Sequence, residues 1–191
     1  WAHVRGGDGG QSAIDPRSNE RVYTSYQGVT IARSENGGAT HVQATSGISD
    51  SVHFIMPWQL DRNAPDRLWA AGTRLWRSDN RGSQWRAASA RVGTTFSDRI
   101  SAFAIAPGDS NRMLLGNLDR IYRSENALAG GNTTAWPSTA PRPGWVSSLA
   151  FAADDLRTAY ATYSTLGGGA HVWRSRDGGA TWSALDGNGD G

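Results

Sequence analysis

The sequence predicts an all-β chain built from four four-stranded antiparallel sheets. One observation is that the dipeptide Arg-Ser recurs at a similar spacing, with serines 44, 46 and 51 residues apart at Ser34, Ser78, Ser124 and Ser175. A second is a large side chain at a spacing of 45 or 46 residues, at Tyr23, Trp69, Leu114 and Tyr160. A third is that no stretch shows sustained helical periodicity. The two markers share one period, so the chain is an array of similar units.

Each unit contains four short segments that are typical of β-strands. The first is apolar and falls at residues 13–15, 54–56, 102–106 and 149–152. The second falls at 22–25, 68–71, 113–115 and 159–162, and the third leads into Arg-Ser at 29–32, 74–76, 120–122 and 171–173. The fourth follows a turn, as at 85–88 and 182–185. Four strands in a repeat of roughly 40 to 50 residues are typical of a β-propeller blade.

The repeats divide the chain into a single segment, residues 1–191, with four blades. They fall at about 1–46, 47–90, 91–140 and 141–187, and an acidic, glycine-rich tail occupies 186–191. Each blade of a ring covers the apolar face of its neighbour, and few rings close with only about four blades. We therefore expect an open arc that is part of a larger ring, completed by further blades, a partner chain or a second copy.

The turn after each Arg-Ser carries a specific pattern. Residues 175–182 fit S-x-D-x-G-x-T-W at every fixed position, and residues 78–85 keep Ser, Gly and Trp with Asn80 in place of Asp. The copy at 34–41 ends in His41, and the copy at Ser124 reaches Trp136 only after an insertion. A short Asp, Asn or Ser side chain can bond the amides of its own turn. We interpret these residues as structural.

With these turns the chain resembles the Asp-box (BNR) repeat proteins, which include sialidases, xyloglucan-cleaving glycosidases and sortilin-type receptors. Its glycine-rich start at 6–10, followed by 13–16, is most similar to bacterial secreted BNR-repeat glycosyl hydrolase-like proteins. The resemblance implies a β-propeller with the boxes away from the axial face, and a secreted or periplasmic location in a bacterium. The sialidase F/Y-R-I-P motif and Tyr-Glu pair are absent from the sequence, so sialidase activity is not expected.

Composition narrows the possible partners. All 19 Lys and Arg residues are arginine, the formal net charge is only +2, and no basic cluster typical of nucleic-acid binders is visible. The sequence has no cysteine, which excludes disulfides and thiol chemistry. No apolar run approaches the roughly 20 residues of a membrane span. Protein or carbohydrate remains the expected partner class.

Aromatic residues fall into two sets. Those that follow the repeat, including Tyr160 and the box residue Trp182, are expected in the core. Four others are off-register and are expected near loops or strand ends, where exposed rings could stack on a ligand, with packing inside a loop as the alternative: Trp58, Trp145, Tyr26 and Tyr163. On this division, replacing Trp182 by Ala should destabilise the fold more than replacing Trp58.

Two sites in the sequence carry candidate catalytic or metal-binding residues. Asp8, between glycine pairs, is a weak catalytic candidate, because glycoside hydrolysis normally needs a second carboxylate and none can be named. Asp186, Asn188 and Asp190 match the first positions of a calcium loop, D-x-[DN]-x-[DN]-G, so calcium is the possible cofactor. A disordered linker has the same composition.

The sequence thus favours a non-enzymatic binding or scaffold module outside the cytoplasm, with a protein or glycan ligand. The alternative is a fragment of a secreted glycoside hydrolase whose other catalytic groups lie on blades outside this chain. Identity of the fold does not decide between them, because function depends on the site.

Overall fold

The computed structural model describes residues 6–93, 95, 97–167 and 169–187. Sixteen β-strands in this part of the chain form four separate four-stranded antiparallel sheets, each with its strands in chain order. One 3-10 turn at Ala127–Ala129 is the single helical element among the described residues. The predicted all-β class and four-stranded antiparallel blades are therefore confirmed. None of the described residues belongs to a helix long and apolar enough to cross a membrane.

We number the sheets as blades 1 to 4. Blade 1 contains β1 Gly9–Asp15, β2 Ser18–Tyr26, β3 Ile31–Ser34 and β4 Val42–Gln43. Blade 2 contains β5 Trp58–Leu60, β6 Leu68–Ala71, β7 Leu75–Ser78 and β8 Arg86–Ala87. Blade 3 contains β9 Ala102–Ala106, β10 Asp109–Gly116, β11 Ile121–Ser124 and β12 Ser138–Thr139. Blade 4 contains β13 Val146–Phe151, β14 Ala159–Tyr163, β15 Val172–Ser175 and β16 Ser183–Ala184.

The first strand of blade 2 was predicted wrongly. Residues 54–56 are apolar, but β5 begins after Pro57, at Trp58. Phe54 is 62% exposed, and its carbonyl accepts a hydrogen bond from the amide of Gly28 in blade 1. The apolar run is therefore a crossing segment between two blades rather than a blade strand.

Each blade has one face toward the preceding blade and one toward the next, which we call its leading and trailing faces. Side-by-side residues on paired antiparallel strands share a face. The trailing row of blade 1 contains Ala13, Tyr23 and Arg33, because these residues pair across β1, β2 and β3. The matching rows are Gln59, Trp69 and Arg77 in blade 2, and Ala104, Leu114 and Arg123 in blade 3.

The apolar core lies between blades rather than within them. Between blades 1 and 2, Tyr23 packs in one cluster with Trp58 and Trp76. Between blades 2 and 3, Trp69 packs with Phe103 and Met113. A third cluster joins blades 3 and 4, with Leu114, Ile121, Val146 and Leu149 among its members. Each blade is therefore stabilised by its neighbours, as in other repeat arrays.

Two arginines of the Arg-Ser pairs link neighbouring blades. The Arg33 guanidinium donates to the carbonyl of Arg81 at 2.6 Å, and Arg77 donates to the carbonyl of Leu128. Arg77 also lies over the Trp69 ring, with its Cζ 5.6 Å from the ring centroid. These two side chains therefore stabilise the scaffold.

The two ends of the row remain open. Tyr160 was expected in the core because it follows the repeat, but it is 38% exposed, whereas Tyr23, Trp69 and Leu114 are fully buried. Its row lies on the trailing face of blade 4, where no further blade packs within the described chain. At the other end Ile14, on the leading face of blade 1, is 59% exposed. The structure is a partial propeller.

The turns between third and fourth strands are held by their own side chains. Ser175 Oγ accepts hydrogen bonds from the amides of Asp177 and Gly179, and Asp177 Oδ1 accepts from the amide of Thr181. The same pattern recurs around Ser34 with Asn36 and around Ser78 with Asn80. In the third copy the insertion forms the 3-10 turn instead. The short polar residues thus satisfy turn amides.

Candidate binding cleft

A cleft of about 950 Å³ lies along the inner strands of the arc. Its walls come from the first strands and the following turns of blades 1, 2 and 3, with Ala153 of blade 4 at one end. The apolar part includes Ile14, Trp58 and Pro107, and the polar part includes Gln11, Gln59, Arg62 and Asn63. No Asp or Glu is among the described residues that line it. A mainly apolar surface with a few convergent polar groups is typical of a ligand site.

Amide side chains hold the cleft walls together across blade boundaries. Gln59 Nε2 donates to the carbonyl of Phe103 in blade 3, at 2.9 Å. Asn63 donates through Nδ2 to the carbonyl of Ala106 at 2.9 Å and accepts through Oδ1 from the amide of Gly108 at 2.7 Å. Both residues are therefore anchored before any ligand arrives, which reduces the entropy lost on binding.

Arg62 differs from these anchored amides. It follows β5 in the turn to β6, and its side chain is exposed. Within the described ranges its guanidinium has no protein hydrogen bond or ion pair, although it lines the cleft. It therefore offers a cation with several free donors to a ligand.

Two of the four predicted exposed rings are buried. Trp58 is 2% exposed, with its ring centroid 6.3 Å from that of Tyr23. Tyr163 is 3% exposed in the cluster between blades 3 and 4, and Arg142 lies over its ring at 5.6 Å. Burial raises the pKa of Tyr163 to about 12. The expected division between core and loop aromatics was therefore wrong for both residues, because each belongs to a strand that packs between blades. Trp58 nevertheless also lines the cleft.

The other two rings are half-buried, on the side of the blades where first strands begin. Tyr26 ends β2 opposite Gly9, the first residue of β1. Trp145 precedes β13, and its ring meets that of His53 edge-on, with centroids 5.0 Å apart. Burial lowers the pKa of His53. Neither Tyr26 nor Trp145 lines the cleft. Any ligand role for these two rings therefore lies outside the cleft, on the side of the blades where the first strands begin.

Asp8 lies on the same side, directly before β1, and is exposed. Its amide donates to Gln27 Oε1 at 3.0 Å. Asp8 is not among the cleft-lining residues, and within the described ranges it belongs to no group of three acidic or histidine side chains suited to a metal ion. Its position at a glycine-flanked strand start leaves the carboxylate accessible.

The predicted calcium loop is described only in part. Asn188 and Asp190 lie outside the described residues. Asp186 Oδ2 accepts a hydrogen bond from the amide of His171 at 2.7 Å. Burial raises the pKa of the Asp186 carboxyl, but backbone hydrogen bonds, first that from His171, outweigh it and lower the pKa overall. One oxygen of the proposed ligand set is thus already used within blade 4.

Sequence reasoning missed Gln59, Arg62 and Asn63. Their position at the end of the first strand of blade 2 could have identified them as lining the cleft, but that strand was predicted at residues 54–56. With β5 placed correctly, Gln59 falls within the inner strand, and Arg62 and Asn63 fall in the turn that follows it. The concave surface itself depends on how blades are arranged, which no single repeat reveals.

Solved structures with this fold are larger than the chain. An ancestral GH74 enzyme matches with a TM-score of 0.68 and 19% identity over 95% of this chain, which corresponds to 24% of that protein. The GH74 xyloglucanase from Xanthomonas campestris matches with a TM-score of 0.67 and 17% identity, over 94% and 30%. YCF48 from Cyanidioschyzon merolae gives 0.63 and 18%, over 94% and 59%. At these identities the likeness shows the fold. No protein-family model and no curated protein sequence matches the chain.

Proposed function

We propose that the chain is a non-enzymatic binding segment of a larger Asp-box propeller that acts outside the cytoplasm, in a bacterium. The repeat turns support the Asp-box assignment, since a Ser and an Asp or Asn bond the turn amides in three of four copies. The chain spans between about a quarter and three-fifths of the solved structures that it resembles, which supports a larger parent ring.

The inner cleft carries the proposal for binding. Its walls present apolar surface from Ile14 and Pro107 beside the free guanidinium of Arg62. Hydroxyl-rich or carbonyl-rich ligands, such as a glycan or an extended peptide, suit this combination, because apolar faces stack while Arg donates several hydrogen bonds. Hydrolysis of a glycoside normally needs a pair of carboxylates, and the described lining contains none. The cleft thus favours binding over catalysis.

A glycan and peptide array with the full chain tests this function. The variant Arg62→Ala should weaken binding of any array hit about 10- to 100-fold, because it removes charged hydrogen bonds worth about 1.5–3 kcal/mol. Arg91→Ala is the matched control, since Arg91 is exposed but does not line the cleft. Absence of any ligand on the arrays, or equal losses in the two variants, would reject the cleft as a binding site.

The second candidate is a glycoside hydrolase fragment. Asp8 is an exposed carboxylate beside glycines, and two of the structures with this fold are GH74 enzymes. This alternative requires a second carboxylate from blades outside the chain. It predicts that a longer protein containing these blades releases reducing sugar from a glycan, and that Asp8→Asn abolishes the release while leaving glycan binding intact.

A further inference from the structure

The trailing face of blade 4 repeats that of blade 1. Strand pairing places Ala150, Tyr160 and Arg174 in one row, as it places Ala13, Tyr23 and Arg33 in blade 1. The row beside it holds Thr162 and Val172 where blade 1 has Ser25 and Ile31. The row that contains Tyr23 in blade 1 differs in the middle blades, since it holds Gln59 and Trp69 in blade 2 and Leu114 in blade 3. Blade 1 is therefore the internal model for what blade 4 presents.

Blade 1 shows what such a face contacts. Tyr23 is fully buried against Trp58 of blade 2. Arg33 Nη1 donates to the carbonyl of Arg81 at 2.6 Å and to Ser83 Oγ at 3.1 Å, both in the turn between the third and fourth strands of blade 2. The trailing face of blade 1 is thus contacted by an aromatic ring and a turn carbonyl of the following blade.

Blade 4 has the same groups without these contacts. Tyr160 is 38% exposed, and the Arg174 guanidinium makes no hydrogen bond or ion pair within the described structure. The Nε atoms of both Arg33 and Arg174 lack a hydrogen-bond acceptor, so the two arginines differ in the Nη1 hydrogen bonds of Arg33. An exposed Tyr and an Arg without a hydrogen bond therefore occur together on one sheet face, at the positions where blade 1 buries the Tyr ring and binds the Arg through Nη1.

We propose that this trailing face docks one further blade of the same repeat, with a leading face like that of blade 2. That blade supplies an aromatic residue at the position of Trp58 to cover Tyr160. It also supplies a turn carbonyl at the position of Arg81 to accept from Arg174. The inference deepens the proposed larger ring by naming the contact surface and the chemistry of its occupant.

A second copy of the chain is a poorer occupant, because its first blade lacks the aromatic residue. Ser12 pairs with Thr24 on the leading face of blade 1, where blade 2 pairs Trp58 with Ala70. Ser12 is exposed and too small to cover a tyrosine ring. The 191-residue chain should therefore remain a monomer through this face, and the further blade should differ in sequence from blade 1.

Transplanting the leading row of blade 2 onto blade 1 tests the inference in the full chain. The double variant Ser12→Trp/Thr24→Ala turns each molecule into a suitable partner for blade 4 of another. By light scattering, the 191-residue chain should have the monomer mass of 20.4 kDa, and the double variant should have the mass of two or more chains, because a head-to-tail contact either closes a ring or continues. Adding Tyr160→Arg should restore the monomer. Adding Phe54→Arg, at an exposed residue outside the blade strands, should leave the association intact.

Each other result contradicts a stated part of the inference. A folded, monomeric double variant overturns the docking surface. A natural chain that dimerises, and that Tyr160→Arg separates, makes the second copy the occupant and overturns the proposed one. Association that survives Tyr160→Arg uses another surface and overturns the assignment. Circular dichroism verifies folding, and Ser12→Phe/Thr24→Ala repeats the test if the tryptophan prevents folding. None of these readouts depends on a ligand in the cleft, so they are independent of the array experiment.

Discussion

Trp58 Nε1 donates a hydrogen bond of 2.9 Å to Ser25 Oγ, which joins the first strand of blade 2 to the second strand of blade 1. The amide of Trp58 also donates to Gln11 Oε1, at 2.9 Å. One residue therefore connects two blades through its ring, its indole nitrogen and its backbone, and it forms part of the cleft wall. Loss of this side chain would disturb the blade interface and the cleft together.

Replacing Trp58 by Ala should destabilise the fold more than replacing Trp182. Trp58 is almost fully buried, whereas Trp182 is half-buried in the last turn. Truncating a buried aromatic typically costs about 3–5 kcal/mol, and a half-buried one costs less. This order reverses the one expected from the sequence. Denaturant midpoints measure it, and equal midpoint shifts for the two variants would contradict it.

The arginines of blades 2 and 4 occupy the same repeat position but should differ in importance. Arg77 is buried and donates to Leu128 and Asp79, so Arg77→Ala should cost about 1.5–3 kcal/mol, as for other hydrogen bonds of charged groups. Arg174 has no such neighbour in the described chain, so Arg174→Ala should change the free energy of unfolding by less than about 0.5 kcal/mol. Urea unfolding of both variants measures this, and equal losses would refute the role of the blade-to-blade bond.

Asp177 should make the stability of blade 4 depend on acid pH. Burial raises the pKa of its carboxyl, but hydrogen bonds from Thr181 and Ser175 outweigh burial and lower the pKa to about 2. A carboxylate whose pKa is lower in the folded state stabilises fully above the unfolded pKa of 3.8, and its contribution is lost as the pH falls toward 2. After a discount for solvent screening, about 1 kcal/mol should be lost across this window.

Asp177→Asn isolates this contribution. The corresponding turns of blades 1 and 2 already carry Asn36 and Asn80, whose Oδ1 atoms accept a hydrogen bond from the equivalent turn amide. Other carboxylates, such as Asp15 with its Arg17 partner, titrate equally in both proteins. The stability difference between wild type and variant, from unfolding curves at pH 6 and pH 2.5, should therefore shrink at the lower pH. A difference that stays constant would show that Asp177 titrates normally in the folded protein.

The repeat was sufficient to place the second strands, and that of blade 2, at 68–71, was placed to the residue. The first strand of blade 3, at 102–106, was also placed to the residue. The third strands were expected to end before Arg-Ser, but each of them includes that dipeptide. The first strand of blade 2 was misplaced because hydrophobicity alone could not separate a crossing segment from a buried strand. That error also moved Trp58 from the core to a loop, so its burial could not be predicted.

Burial at the ends of the array could not be predicted from the repeat at all. Tyr160 has the sequence environment of Tyr23, and only the missing neighbour exposes it. The cleft has the same limitation, since Arg62 and Pro107 approach each other only once blades 2 and 3 pack. Local patterns determine blades, whereas sites between blades depend on the number of blades and their arrangement.

Two adjacent glycines of the insertion in the third turn should respond differently to substitution by Ala. A Cβ on Gly130 would lie 2.1 Å from the carbonyl oxygen of Ala88 in blade 2, whereas a Cβ on Gly131 would meet no atom within 4 Å. Neither glycine has a positive φ, so steric contact is the difference between them.

Gly130→Ala must push the insertion away from blade 2 and should cost about 1–3 kcal/mol, typical of overpacking. Gly131→Ala should be neutral or stabilise by up to about 1 kcal/mol, because it restricts the unfolded chain. Thermal midpoints of the two variants measure the contrast, and a Gly130→Ala protein as stable as Gly131→Ala would show that the insertion does not pack against blade 2.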